Sequence, residues 1–283
     1  MKQQDVPQFA NPFTWGDMAE LPTSAWLGHI PFARWLVNEM RPKTVVELGT
    51  HQGTSFFAFC QAVKELDLRA RVSAVDTWEG DQHAGFYGDE IFQDVAKVVE
   101  AHYPSIGCLH RTTFDAARSD FGDASVDILH IDGLHTYEAV RHDYQSWHET
   151  VRTGGVILFH DITVRTGDFG VWKLWEELRD QSPSFEFHHS HGLGVLGVGE
   201  GFSENLSALL NLDREGEAAS HVRRQFEIPG ERLELVQEKE LLNARIELLK
   251  AELDGLRKSK SWYITTPLRK GETILREVFG RTR

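Results

Sequence analysis

Short apolar runs rich in β-branched residues recur along the first two thirds of the chain: TVVEL (Thr44 to Leu48), RVSAVD (Arg71 to Asp76), SVDILHID (Ser125 to Asp132) and VILFHD (Val156 to Asp161). Each has the length and composition of a strand. Between them, apolar residues at helical spacing predict helices over Thr54 to Leu66, Ile91 to Ala101 and Tyr137 to Thr150. Gly154 and Gly155 are expected to turn the chain into the last of these strands, and FEFHHS and GVLGVG to close the sheet as an antiparallel pair. Strands alternating with helices predict an α/β fold, a doubly wound, mostly parallel and Rossmann-like sheet covered on both faces.

The flanks read differently. Residues 1–40 carry Phe13, Trp15, Trp26, Phe32 and Trp35 and a helix over Pro31 to Met40, an N-terminal helical cover on a main domain of residues 41–200. A polar helical linker follows over 201–230. In 231–258, Leu235, Lys239, Leu242, Ile246, Leu249, Leu253 and Leu256 alternate spacings of four and three, the seam of a coiled coil, which would make the protein a homo-oligomer. A helix packed on its own domain would show the same seam. Residues 259–283 form a basic amphipathic tail, with Leu268, Leu275, Val278 and Phe279 on one helical face.

The chain has 283 residues and a formal charge of −13, which argues against nucleic acid as a partner. From Arg257 onward, however, the balance is +6, leaving −19 for the rest. An anionic membrane surface or a protein partner would therefore meet the tail, unless the tail is simply solvated. Cys60 and Cys108 show no metal or redox spacing, and neither a signal peptide nor a membrane-spanning run is visible, so a cytoplasmic protein is expected, with the inner membrane face as a further location for the tail.

In doubly wound sheets ligands bind beyond the carboxyl ends of the strands. Glu47, Gly49, Asp76, Asp132, His160 and Asp161 fall there. In VVELGTHQGTS, Gly49 permits a tight strand-to-helix turn and Gly53 a close backbone approach. His51 occupies the middle glycine position of a GxGxxG motif, which leaves less room for a pyrophosphate and disfavours a nicotinamide-dependent oxidoreductase. Acidic groups at Glu47 and Asp76 suit a ligand that offers ribose hydroxyls and an ammonium.

These residues resemble class I S-adenosylmethionine-dependent methyltransferases. Over Ser24 to Gly199 the chain looks more closely like bacterial methyltransferases encoded with polysaccharide glycosyltransferases and is similar to metal-dependent sugar O-methyltransferases of macrolide biosynthesis. The segments SAWLGHIPFARWLV, VVELGTHQGTSFFAFC, AVDTWEGDQHAGFYG, DILHIDGLHTYEAVRHDYQSW, GGVILFHD and DFGVWKLWEEL carry the likeness. The resemblance implies that Glu47 and Gly49 line the methionine part of the cofactor, that Asp76 accepts from the ribose and that Thr113, Phe114 and Asp115 lie near the adenine. It implies further that Asp132 and Asp161 hold a divalent metal and that His135 is the general base. Where relatives have a second acid, this chain has His160, which shifts the expected metal from magnesium toward manganese.

The chemistry fits that assignment, because an alcohol attacking a sulfonium methyl must lose its proton and a bound cation eases the loss. The same residues also have plainer readings: Asp132 as a helix cap, His135 as a first-turn residue and His160 as support behind the ligands. His83 and Tyr87 are candidates to close over the acceptor. His188, His189 and His191 form a cluster that could catch a metal but read first as surface residues of a terminal strand, and the kinase-like triplet Asp168 to Gly170 reads as a chance match. The tail segment SWYITTPLR resembles a terminal motif of bacterial glycan-assembly proteins. A glycan acceptor and a glycosyltransferase partner are therefore expected, and an inactive assembly protein is the alternative to an enzyme.

Overall fold

A computed structural model describes residues 7–265 of the protein. The basic tail beyond residue 265 lies outside them. The described chain divides into two compact units, one ending at Glu234 and the other starting at Leu235.

The first unit opens with helix α1 (Ile30–Met40), started by Pro31 in its first turn, and then alternates strands and helices. In order these are β1 (Thr44–Leu48), α2 (Thr54–Glu65), β2 (Arg71–Asp76), a small hairpin of β3 (Gly80–Asp81) and β4 (Gly85–Phe86), α3 (Asp89–His102) and β5 (Gly107–Arg111). Then come α4 (Phe114–Ala117), β6 (Val126–Ile131), α5 (Tyr137–Trp147), β7 (Val151–His160), α6 (Val171–Leu178), β8 (Ser184–Phe187), β9 (Leu193–Gly197) and α7 (Glu204–Leu210).

The main sheet runs β5-β2-β1-β6-β7-β9-β8. Its first five strands are parallel, and β9 and β8 are antiparallel to their neighbours. Side chains alternate across this sheet. Val45, Val72, Ile128 and Leu158 enter a core with α1 and α2, whereas Val46, Val75, Leu129 and Phe159 enter a second core with α5 and α6. Every residue of β6 is buried, as expected for a central strand covered on both faces.

The turn expected at Gly154 and Gly155 is instead a kink inside β7. Gly154 has φ of 78° and its N–H bonds the carbonyl of Val198, while the pairing with β6 shifts between Val126 and Ile128. Glycine satisfies the left-handed conformation without leaving the sheet.

Helix α8 (Glu217–Lys258) is long, and its part up to Glu234 is core rather than linker. Ala219, Val222, Phe226 and Leu233 are buried, and Phe226 packs edge-on against Phe32, Trp35 and Phe187. Gly230 is required there, because a Cβ would lie 2.4 Å from the carbonyl oxygen of Gly28.

The second unit holds the remainder of α8 and the short α9 (Lys260–Ile264). The apolar seam of Leu235, Leu242, Ile246, Leu249, Leu253 and Leu256 is exposed. No helix among the described residues is long and apolar enough to cross a membrane.

Candidate active site

A cavity of about 380 Å³ opens at the carboxyl ends of β1, β2, β6 and β7. Its walls are the loops that leave these strands, together with Thr23 and Ser24 from the N-terminal segment and the β3-β4 hairpin.

The turn after β1 builds one end. Gly49 has φ of 88°, and a Cβ there would meet the Asp132 carbonyl oxygen at 2.0 Å, so only glycine lets the two strand ends close together. Asp76, at the end of β2, organises this turn. Its Oδ2 accepts from the N–H groups of Thr50 (2.8 Å) and His51 (2.9 Å), and its Oδ1 accepts from Trp78 N–H (2.7 Å). Carboxylate lone pairs beyond these bonds can still accept from hydroxyls in the cavity. Thr113 caps α4, accepting from Ala116 N–H, and places Phe114 on the same wall.

Three residues expected at the cofactor do not line the cavity. Glu47 turns the other way, since strand alternation puts it on the face shared with Val45, where it is fully buried. Its Oε2 lies 2.9 Å from His130 Nδ1, while Trp26 Nε1 donates to His130 Nε2 at 3.1 Å. The Trp26 donor occupies the Nε2 lone pair, so the imidazole proton sits on Nδ1 facing Glu47. Asp115 is drawn away to the surface, where it faces His142 Nε2 at 2.8 Å. Gly53, with φ of 87°, acts as the turn into α2, and a Cβ would strike the Phe57 ring.

The chemical end is built from β6 and β7. Asp132 continues the β6 pairing through its N–H to the Leu48 carbonyl (2.8 Å), which fixes its carboxylate at the rim. Thr136 caps α5 and so sets the start of that helix just after His135. His135 Nε2 lies 2.9 Å from Asp161 Oδ2 and 3.5 Å from Asp132 Oδ1. His160 Nδ1 lies 3.3 Å from Asp132 Oδ1 and 3.4 Å from Asp161 Oδ2, and its Nε2 donates to the Ser190 carbonyl at 3.0 Å. The structure thus brings together all four residues singled out at these strand ends.

Electrostatics bind the cluster. Burial pushes both carboxyls up, but charge on His160 and hydrogen bonds from His135 and His160 outweigh it and hold Asp132 and Asp161 well below the usual carboxylate range. Burial pulls both imidazoles down, yet the two aspartates raise His135 to about 9 and His160 well above its ordinary value. Asp132, His135 and Asp161 each offer a ligand atom, and these atoms lie within 4.8 Å of one another. That donor set, hard oxygens with imidazole, suits a divalent cation such as manganese or magnesium.

The histidines near the end of the sheet divide. His191 belongs to the cavity wall, with Nδ1 3.0 Å from Asp161 Oδ1. His189 packs on the His29 ring, and its Nε2 donates to the Gly28 carbonyl at 3.1 Å. His188 is half exposed beside Glu186. His191, read from the sequence mainly as a surface residue, joins the cavity wall instead, and sequence patterning had no means of finding Thr23 and Ser24, because they reach the cavity from the distant N-terminal segment.

Several known proteins are similar to this chain. A protein of Sinorhizobium fredii named uncharacterized protein y4gI is 43% identical over 238 residues, which is 82% of this chain. The chain spans about a quarter of that relative's length, 26%. Among solved structures, the O-methyltransferase TomG of Streptomyces achromogenes in complex with SAM aligns with a TM-score of 0.47 and 16% identity over 64% of this chain and 83% of TomG. The SAH-bound methyltransferase PaMTH1 of Podospora anserina aligns with a TM-score of 0.47 and 10% identity, over 61% of this chain and 78% of its own. Residues 46–162 match the family model of the methyltransferase domain, and this stretch, from β1 to just past β7, carries Gly49, Asp76, Asp132, His135, His160 and Asp161.

Proposed function

We propose that the protein is an S-adenosylmethionine-dependent O-methyltransferase, metal-assisted, that methylates a hydroxyl of a sugar or glycan. The observation that carries this reading is one cavity with a ribose-type acceptor, Asp76, at one end and the cluster of Asp132, His135, His160 and Asp161 at the other. S-adenosylmethionine would supply the methyl group as a sulfonium. Asp76 already holds the Thr50 and His51 amides and has acceptor capacity left for the ribose, while Gly49 keeps the wall open beside it.

Asp132 and Asp161 would hold the cation with His160. The His160 Nε2 bond to the Ser190 carbonyl presents Nδ1 to both carboxylates, the orientation of a ligating imidazole with its other nitrogen anchored. The cation would supply Lewis acidity that lowers the pKa of an alcohol. His135 would take the hydroxyl proton at Nε2, the nitrogen that faces the carboxylates. Paired only with the histidines, Asp132 and Asp161 raise His135 to about 9 and keep it protonated at neutral pH; a cation held by the two carboxylates would lower that value and free Nε2 to act as the base.

Among the described residues no Lys or Arg lines the cavity, which favours a neutral polyhydroxyl acceptor such as a sugar. The exposed seam from Leu235 to Leu256 would pair with a second copy, and the basic tail would meet a glycosyltransferase or an anionic membrane surface from the cytoplasmic side. Transfer of labelled methyl from S-adenosylmethionine to a bacterial glycan fraction, with the mass gain of one methylene per acceptor, tests the reading. Absence of labelled glycan in the presence of bound cofactor would favour an assembly protein that carries a silent domain.

A further inference from the structure

The triplet Asp168, Phe169 and Gly170 has a place in the fold that its sequence does not announce. It is pinned by backbone to the segment that carries His135. Phe169 bridges Thr136, Gly170 N–H bonds the His135 carbonyl at 2.7 Å, and a Cβ at Gly170 would lie 2.5 Å from Tyr137 N. On this corner the Phe169 ring lies parallel to the His135 imidazole, with centroids 4.8 Å apart and planes 3° apart. His83, from the hairpin after β2, stacks on Phe169 at 4.5 Å, and its Nε2 is 2.7 Å from Asp168 Oδ1.

Hydrogen bonding fixes His135 at one nitrogen only. Nε2 faces the aspartates, but Nδ1 is buried and has no hydrogen-bond partner among the described residues. A histidine with a reactive Nε2 is commonly oriented by a bond at Nδ1. Here that bond is missing, and a ring tethered at one corner can still rotate about its Cβ–Cγ bond.

We infer that Phe169 is a positioning residue that sets the ring plane of His135 by stacking, and that Asp168 and His83 lock the stack from the hairpin side. This rests on the reading of His135 given above. Stacking replaces the missing hydrogen bond, and the unpartnered Nδ1 is the cost of that arrangement. Misplacement of a reacting group by about 1 Å can lower turnover roughly 100-fold.

The test compares Phe169→Leu and Phe169→Tyr in the full chain. Carbon-bound protons of the His135 ring, assigned by their loss in His135→Gln, lie over the Phe169 face and should resonate upfield of exposed histidines. Phe169→Leu should return them to the ordinary position, and Phe169→Tyr should keep them shifted. With a glycan acceptor, Phe169→Leu should lose roughly 10- to 100-fold in kcat while KM and S-adenosylhomocysteine affinity stay unchanged, and Phe169→Tyr should recover most of it. Should Phe169→Leu melt the domain, Phe169→Met fills similar space without a ring and carries the same comparison. Identical His135 resonances in wild type and the ring-free variant, or wild-type kcat in that variant, overturn the inference. If the wild type moves no methyl group, the resonance comparison still decides the stack, and only the methyltransfer reading falls.

Discussion

Asp143, on α5, offers a test of the environment behind the cavity wall. Its side chain is 7% exposed and has no hydrogen-bond partner among the described residues. One of its oxygens lies 3.4 Å from where a Cβ on the cavity residue Gly133 would sit. Burial, opposed by His142 and reinforced by Asp115, raises its pKa from 3.8 to about 7. A carboxyl raised on folding stabilises fully below its unfolded value and loses that contribution as pH rises through the folded one. Ionising Asp143 therefore costs folding free energy over the window from 3.8 to about 7. Integrated between about pH 5 and about pH 8, the linkage amounts to roughly 2.5 kcal/mol. Asp143→Asn removes this titration but introduces an amide with buried donors, so its absolute stability is a poor guide. The difference between variant and wild type isolates the group. Urea unfolding at both pH values should show the variant gaining roughly 2.5 kcal/mol on wild type from the lower to the higher pH. A difference constant to within about 0.5 kcal/mol across that range would refute the buried-carboxyl argument.

Other consequences are equally concrete. Asp76→Ala should weaken S-adenosylhomocysteine binding by roughly 100-fold in calorimetry, since the ribose loses its acceptor and the Thr50 and His51 amides lose theirs; unchanged affinity would move the cofactor elsewhere. Gly49→Ala should destabilise the domain by several kcal/mol in denaturant unfolding, on the order of 3, because both φ and the approach to Asp132 forbid a side chain. Excess chelator should abolish methyl transfer and added manganese restore it, whereas full activity in chelator would remove the cation from the mechanism. Ending the chain after Glu234 should convert an oligomer to a monomer in sedimentation while leaving cofactor binding intact, and an unchanged mass would exclude the seam as the contact.

Much of this was legible because sheet physics is local. The strand runs, their glycine-punctuated ends and the rule that ligands gather beyond carboxyl ends place Asp76, Asp132, His160 and Asp161 without any tertiary information. Glu47 shows the limit of that rule. It ends nearly the same strand, but the two-residue period carries it inward to His130, so proximity to Gly49 in sequence was misleading. Asp115 pairs with His142 at the surface, a contact made between two helices that the sequence does not signal. The stack of His83, Phe169 and His135 joins loops that only the folded sheet brings together, and no periodic signal marks it. Residues 201–230 read as polar linker because their apolar positions are sparse, yet those few, Phe226 among them, complete the aromatic cluster around Phe32.

The most direct measurement is a crystal structure of the protein with S-adenosylhomocysteine and manganese, using the anomalous signal to locate the ion. The account predicts a single strong peak ligated by Asp132, Asp161 and His160, with the cofactor ribose on Asp76 and His135 free to face an acceptor hydroxyl. A cofactor outside this cavity, or saturating manganese that leaves those carboxylates paired only with the histidines, would contradict it.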